Sequence, residues 1–209
     1  MSQPINMLTS LTNPIQARGF SLIEVLVTIV ILLIGLLGLA GLQSRAFTTQ
    51  LESYQRSQAI ILIQDLVDRI DANRKNAAEY LTADPTLGGA GVGVAIACPG
   101  GTVAQQDLCR WHNALLGSAE GDVAGTMIGA RGCVIEEVAP ATGTPATYQV
   151  IVSWQGLNNS SPPDKRNAFS PGKCGLGMYK DRSGAVNEAL HRAISLPVAI
   201  ADLKAAPAP

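Results

Sequence analysis

Residues 20–42 form an apolar run of 23 residues in which only Ser21, Glu24 and Thr28 are polar. At about 1.5 Å per residue such a helix is roughly 34 Å long, enough to cross a hydrocarbon core of about 30 Å. Residues 1–19 are polar and contain no acidic group, and Arg18 with the initiator amine holds that end cytoplasmic by the positive-inside rule. A membrane-crossing segment so near the start fixes the plan of the rest, because whatever folds beyond it does so across the membrane. An ordinary secretory signal fits poorly. Cleavage near Gly38-Leu39-Ala40 would discard a helix that the downstream pattern continues.

Beyond Leu42 the apolar density drops but the helical spacing persists. Phe47, Leu51, Tyr54, Gln58, Leu62, Leu66 and Ile70 recur at three- and four-residue steps, widened by Ile61, Ile63 and Val67. Neither Gly nor Pro occurs between Leu42 and Pro85, so the pattern predicts one continuous helix from about Phe20 to Leu81, ended by Asp84-Pro85. The expected organisation is a leader over 1–19, a long helix over 20–83 that spans the membrane over about 20–42, and a globular head over 84–209.

The head reads as a loop over 88–101, then a short helix near 107–116 with Leu108, Trp111 and Leu115 on one face. Strands follow at 133–138 and at 148–154, where Tyr148, Val150, Val152 and Trp154 alternate with Gln149 and Ser153. Turn residues make 155–175 a long surface loop closed by Cys174. A last strand is expected over 190–198, placed at a sheet edge by Pro197, before a frayed Ala-Pro tail. The fold class is therefore α+β, a long helix packed on a small antiparallel sheet.

Four cysteines, Cys98, Cys109, Cys133 and Cys174, all follow the apolar segment. An even number beyond a membrane suggests disulfides in an oxidising compartment. Pairing Cys98 with Cys109 and Cys133 with Cys174 is preferred among the three possible connectivities. Their spacings lack the short pairs that zinc favours, and His112 and His191 are isolated, so no metal or other cofactor is expected. No nucleophile–base arrangement, HExxH or carboxylate pair stands out, so no enzyme is expected. A net charge of −1 without a basic run gives no reason to require nucleic acid as a partner. Gly35-Leu36-Leu37-Gly38 lies inside an apolar helix and is no phosphate loop. Trp111 and Trp154 read as core, and Lys165-Arg166 as solvated loop charge.

The junction at residues 17–27 carries the chemistry. Glu24 lies one turn into the apolar segment, where an ionised carboxylate must be neutralised or find a cation. A cut between Gly19 and Phe20 would free an α-amine four residues before Glu24, on the same or a neighbouring chain, and such a pair can fix axial register. Arg18-Gly19-Phe20-Ser21-Leu22-Ile23-Glu24-Val25-Leu26-Val27 resembles the class III signal of type IV prepilins and pseudopilins. That resemblance implies cleavage by prepilin peptidase after Gly19, N-methylation of Phe20, use of Glu24 as the assembly charge partner, and a helix packed in a filament core below a globular head. The run over 34–43, the helix near 108–111, the strand over 148–154 and Leu196-Pro197-Val198 also resemble the PilV group of minor pilins, the type IV pilus modification proteins. The implied partners are other minor and major pilins, the inner-membrane assembly platform, membrane lipid and a tip adhesin. The implied location is the bacterial inner membrane with a periplasmic head, then the pilus. Two alternatives stand beside this: a pseudopilin of a type II secretion system, and a single-span envelope protein with an unrelated head activity.

Overall fold

The structure is a computed structural model that describes residues 19–82, 91, 96–98, 100–117, 127–141 and 144–201. The chain divides into two compact units, Met1–Ala46 and Phe47–Pro209, and the first helix, α1 (Leu22–Ala72), runs through the boundary. The fold class is α+β. After α1 come a 3-10 segment (Arg74–Tyr80), helix α2 (Val103–Leu115) and strands β1 (Ile128–Val138), β2 (Ala146–Gln155) and β3 (His191–Ile200).

The α-helix starts two residues later and stops about nine residues earlier than the apolar spacing predicts. Asn73 leaves the helical region (φ −115°, ψ 34°) and Asn76 does the same (φ −116°, ψ 26°). The Asn76 side chain donates to Asn73 Oδ1 at 2.8 Å, a local bond that competes with the next helical turn. Winding then tightens to about three residues per turn, which brings residues i and i+3 into line. Ala77 and Tyr80 are so aligned, and both are buried. The Asp84-Pro85 stop and the C-terminal Ala-Pro tail lie outside the described residues, as do residues 1–18 of the expected 1–19 leader.

The sheet is antiparallel in the order β1-β2-β3. Val134 pairs with Val150 and Val150 with Leu196; Trp154 pairs with Arg192. Tyr148, Val150, Val152 and Trp154 face the core with Val134 and Val198, and pack with Ala59, Ile63, Leu66 and Ile70 of α1 and Trp111 of α2. Trp111 is fully buried, and its indole N–H donates to the Leu62 carbonyl at 2.8 Å. Its ring lies over Gly132, where a Cβ would overlap the indole, so only glycine fits on the strand beneath it. β1 therefore begins five residues before the expected Cys133, through glycines that hide it from a β-propensity pattern.

Both sheet edges are modified. On β1, Thr82 donates its N–H to the Val134 carbonyl (3.0 Å), and its hydroxyl accepts from the Val134 N–H (3.2 Å). β3 forms the other edge and carries Pro197, which has no N–H to offer.

The surface loop expected over 155–175 is part of a longer segment, residues 156–190, that does more than cross the surface. They cover the second face of the sheet, where Cys174 packs with Cys133 and Ile151. Tyr179 is buried, donates its hydroxyl to Ser153 Oγ at 2.8 Å, and lies 4.7 Å from the His191 ring. Gly175 (φ +73°) takes a left-handed turn here, and a Cβ would meet the Tyr179 and Ser153 hydroxyls at 2.9 and 3.0 Å.

Burial pushes the His191 imidazole below its ordinary range, although Glu188 Oε2, 3.1 Å from Nδ1, pulls the other way. The folded protein thus prefers the neutral ring, and the unfolded chain takes the proton first as pH falls through the ordinary histidine value near 6.5. Stability should fall on acidification below that point, and His191→Phe should flatten the dependence. Thermal melts of both proteins between pH 7.5 and 5.5 (roughly one unit either side of the histidine value) check this, and parallel slopes would contradict it.

Candidate functional site

Within the first unit, every large apolar residue from Phe20 to Leu42 is exposed, from 45% at Val30 to 83% at Phe20 and Leu22. Scattered exposed apolar residues are ordinary, but a continuous helical surface of this kind calls for lipid or another helix. By length and composition α1 can cross a membrane. At each of its three glycines, Gly35, Gly38 and Gly41, a Cβ would find no atom of the chain outside its own helical turn within 4 Å. Nothing among the described residues requires their smallness.

The three polar residues of the span differ in how they are satisfied. Ser21 is the N-cap: its carbonyl accepts from Glu24 N (3.0 Å) and Val25 N (3.3 Å), the first bonds of α1. Thr28 Oγ1 donates to the Val25 carbonyl at 2.8 Å, so its hydroxyl is matched within the helix. Glu24, in the first turn, has no side-chain hydrogen bond or ion pair among the described residues. Gly19 and Phe20 precede the helix and are exposed, so the Gly19–Phe20 bond lies outside regular structure. Phe20 and Glu24 are thus four residues apart across a helix start; Arg18 lies outside the described residues.

In the head, Cys98 is bonded to Cys109 (Cα–Cα 5.6 Å) and Cys133 to Cys174 (5.9 Å). The first disulfide is one of several ties between α2 and Gly91, Ile96 and Cys98. His112 Nδ1 accepts the Gly91 N–H (3.1 Å), and the Asn113 side chain donates to the Ile96 carbonyl (2.7 Å) and accepts its N–H (2.9 Å). The second disulfide holds residues 156–190 onto β1. The described residues contain no group of three potential metal ligands.

One polar cluster escaped the sequence reading. Asp107, buried on α2, accepts from Arg69 Nη1 (2.9 Å) and from the Tyr80 hydroxyl (2.7 Å), while Asp65 holds Arg69 Nε (3.0 Å). Burial first and the Asp107 contact second raise the Tyr80 phenol to about 12, so it stays neutral and donates. The signal was present: Ala104, Asp107, Trp111 and Leu115 share one face, and an acid on a buried stripe demands a partner. Elsewhere Glu52 accepts from the Leu157 and Asn158 N–H groups (3.2 and 3.1 Å) beside Arg192 (3.5 Å). Glu52 and Arg192 border an open cleft of about 270 Å³ shared by Arg56 and Trp154. Neither arrangement aligns a nucleophile with a base.

Residues 16–40 match the family model of the prokaryotic N-terminal methylation motif, and residues 41–107 match that of the Tt1218-like family, type IV pilin Tt1218. Over residues 41–107 the chain is therefore similar to type IV pilins, and over residues 16–40 it is similar to the N-terminal methylation motif. The pilin match spans α1 from Gly41 onward, the 3-10 segment and the start of α2, and the observed helix-plus-sheet fold agrees with it. Type IV pilins are structural subunits rather than enzymes, and the methylation motif implies processing by prepilin peptidase and assembly with other pilins. The motif and the apolar helix together fit a pilin anchored in the inner membrane before assembly. No curated protein and no solved structure gives a significant match to the chain.

Proposed function

We propose that this chain is a minor pilin of the PilV kind, cleaved between Gly19 and Phe20, methylated at Phe20, and inserted early or near the tip of a type IV pilus. One observation carries the proposal: Glu24 has no partner among the described residues and stands in the exposed, mainly apolar segment 20–42, four residues from the amine that cleavage would create. In the membrane the helix anchors the subunit with its head in the periplasm. In the filament, Glu24 meets the Phe20 amine of a neighbouring pilin. Gly35, Gly38 and Gly41 permit close approach of that neighbour, because small residues let helix backbones pack tightly in lipid. The head, stapled by two disulfides, contacts other minor pilins, the assembly platform or a tip adhesin.

Mass spectrometry of the mature protein tests the processing step. The expected N-terminus is N-methylated Phe20; an intact Met1 or a start near Gly41 would overturn the proposal. Counting pili with and without the gene tests the minor role, which predicts few filaments in its absence. Undiminished piliation would remove that role.

A further inference from the structure

The two disulfides of the head stand in opposite surroundings. Cys133 and Cys174 are wholly buried and pack with Ile151 against the second face of the sheet. Cys98 and Cys109 are half-buried and belong to neither core cluster. Thiol–disulfide exchange needs access to a sulfur, so exposed bonds are the exchangeable ones and enclosed bonds the permanent ones.

The Asn113 side chain adds a chemical bias. Its Oδ1 accepts the Ile96 N–H (2.9 Å), which fixes the orientation of the amide. Its Nδ2 then donates to the Ile96 carbonyl (2.7 Å) and to Cys98 Sγ (3.6 Å). A donor so placed favours the thiolate that forms on Cys98 when the S–S bond breaks. Among the described residues no donor is aimed at Cys109 Sγ. The two sulfurs are therefore unequal: Cys98 is the better leaving group, and Cys109 is the one to attack.

We propose that Cys98–Cys109 is a reversible modification site, opened and closed by an oxidoreductase that carries a pair of cysteines. One thiolate of that pair attacks Cys109 Sγ, forms a mixed disulfide and expels the Cys98 thiolate, which takes a proton from water. The second thiolate of the pair attacks its own neighbour's sulfur in the mixed disulfide, and Cys109 leaves as a thiolate that is protonated in turn. The oxidoreductase departs as a disulfide, having passed two electrons to this chain, and the reverse sequence restores the bond. The head survives the open state. His112 still holds Gly91, Asn113 still holds Ile96, and Trp111 and Leu115 keep α2 in the core. The site acts in the head alone and does not rest on the processing of the N-terminus.

The test treats the full-length protein in detergent with dithiothreitol, without denaturant, traps thiols with iodoacetamide at intervals and maps them by peptide mass spectrometry. Cys98 and Cys109 should be alkylated about tenfold faster than Cys133 and Cys174, or more, with the tryptophan emission wavelength unchanged. Glutathione in place of dithiothreitol should leave its mixed disulfide on Cys109. Asn113→Asp keeps an acceptor for the Ile96 N–H but has no donor for the sulfur, and should slow opening about tenfold. Were Asn113 only a tether for Ile96, the same change would loosen the segment and speed opening. Equal rates for the two bonds, a tryptophan shift on opening, or glutathione on Cys98 would each overturn the proposal. So would unchanged or faster opening of Asn113→Asp.

Discussion

Replacing Glu24 with alanine is expected to abolish entry into filaments while membrane insertion and cleavage continue. Insertion should not suffer, because the change removes an unfavourable group from an apolar span. Assembly should, because parallel apolar helices slide past one another at little cost, and on the reading proposed above a single buried charge pair selects one axial register. Removing one partner leaves the Phe20 amine uncompensated in a medium of low dielectric, a loss of about 3–5 kcal/mol and hence about two to four orders of magnitude in association. Immunoblots of sheared filaments against membrane fractions would measure it. Glu24→Gln separates charge from hydrogen bonding: it should behave like alanine if the charge sets the register. Normal incorporation of either variant in filaments would refute this account of α1.

The second large effect concerns Cys174. The Cys133–Cys174 bond closes a loop with a sequence separation of 41, and restricting a chain of that length stabilises the folded state by about 4 kcal/mol. Most single domains are stable by only about 5–15 kcal/mol, so Cys174→Ser should remove a large share of the total. The structural consequence should be confined at first to residues 156–190, releasing Tyr179 from Ser153 and uncovering Ile151. The Cys98–Cys109 bond, with a separation of 11, should contribute about 3 kcal/mol. Urea titration of Cys174→Ser and Cys98→Ser checks the order. A Cys174→Ser protein within about 1 kcal/mol of the unaltered one would show that packing alone holds the cover in place.

What could be read in advance was local chemistry. Residues 20–42 declare themselves through apolar density, and the segment around Gly19, Phe20 and Glu24 through its match to the N-terminal methylation motif. The alternation over 148–154 placed the core face of β2 because one side of that strand is buried by helices. Features that depend on competition between distant groups stayed hidden. Asn73 ends the α-helix without any glycine or proline, because two asparagine side chains bond to each other and Tyr80 has Asp107 to reach. Asp107 has the look of a surface acid until Arg69, 38 residues away in sequence, is found beside it. Residues 156–190 carry the composition of a loop. Only Cys174 and Tyr179, meeting partners on β1 and β2, turn them into the second wall of the core.

The bond from Thr82 to β1 and the proline in β3 have a bearing on life at high density. Membrane proteins that await polymerisation are crowded side by side, and a small sheet with bare edges is a template on which the next sheet can grow. Here the middle of one border is already occupied by the chain's own Thr82, and the other border is missing a donor at Pro197. Heads so bordered can touch through side chains without fusing into a common ribbon. On the pilin reading proposed above, ordered polymerisation would be left to the helices, where it could be taken apart as well as built.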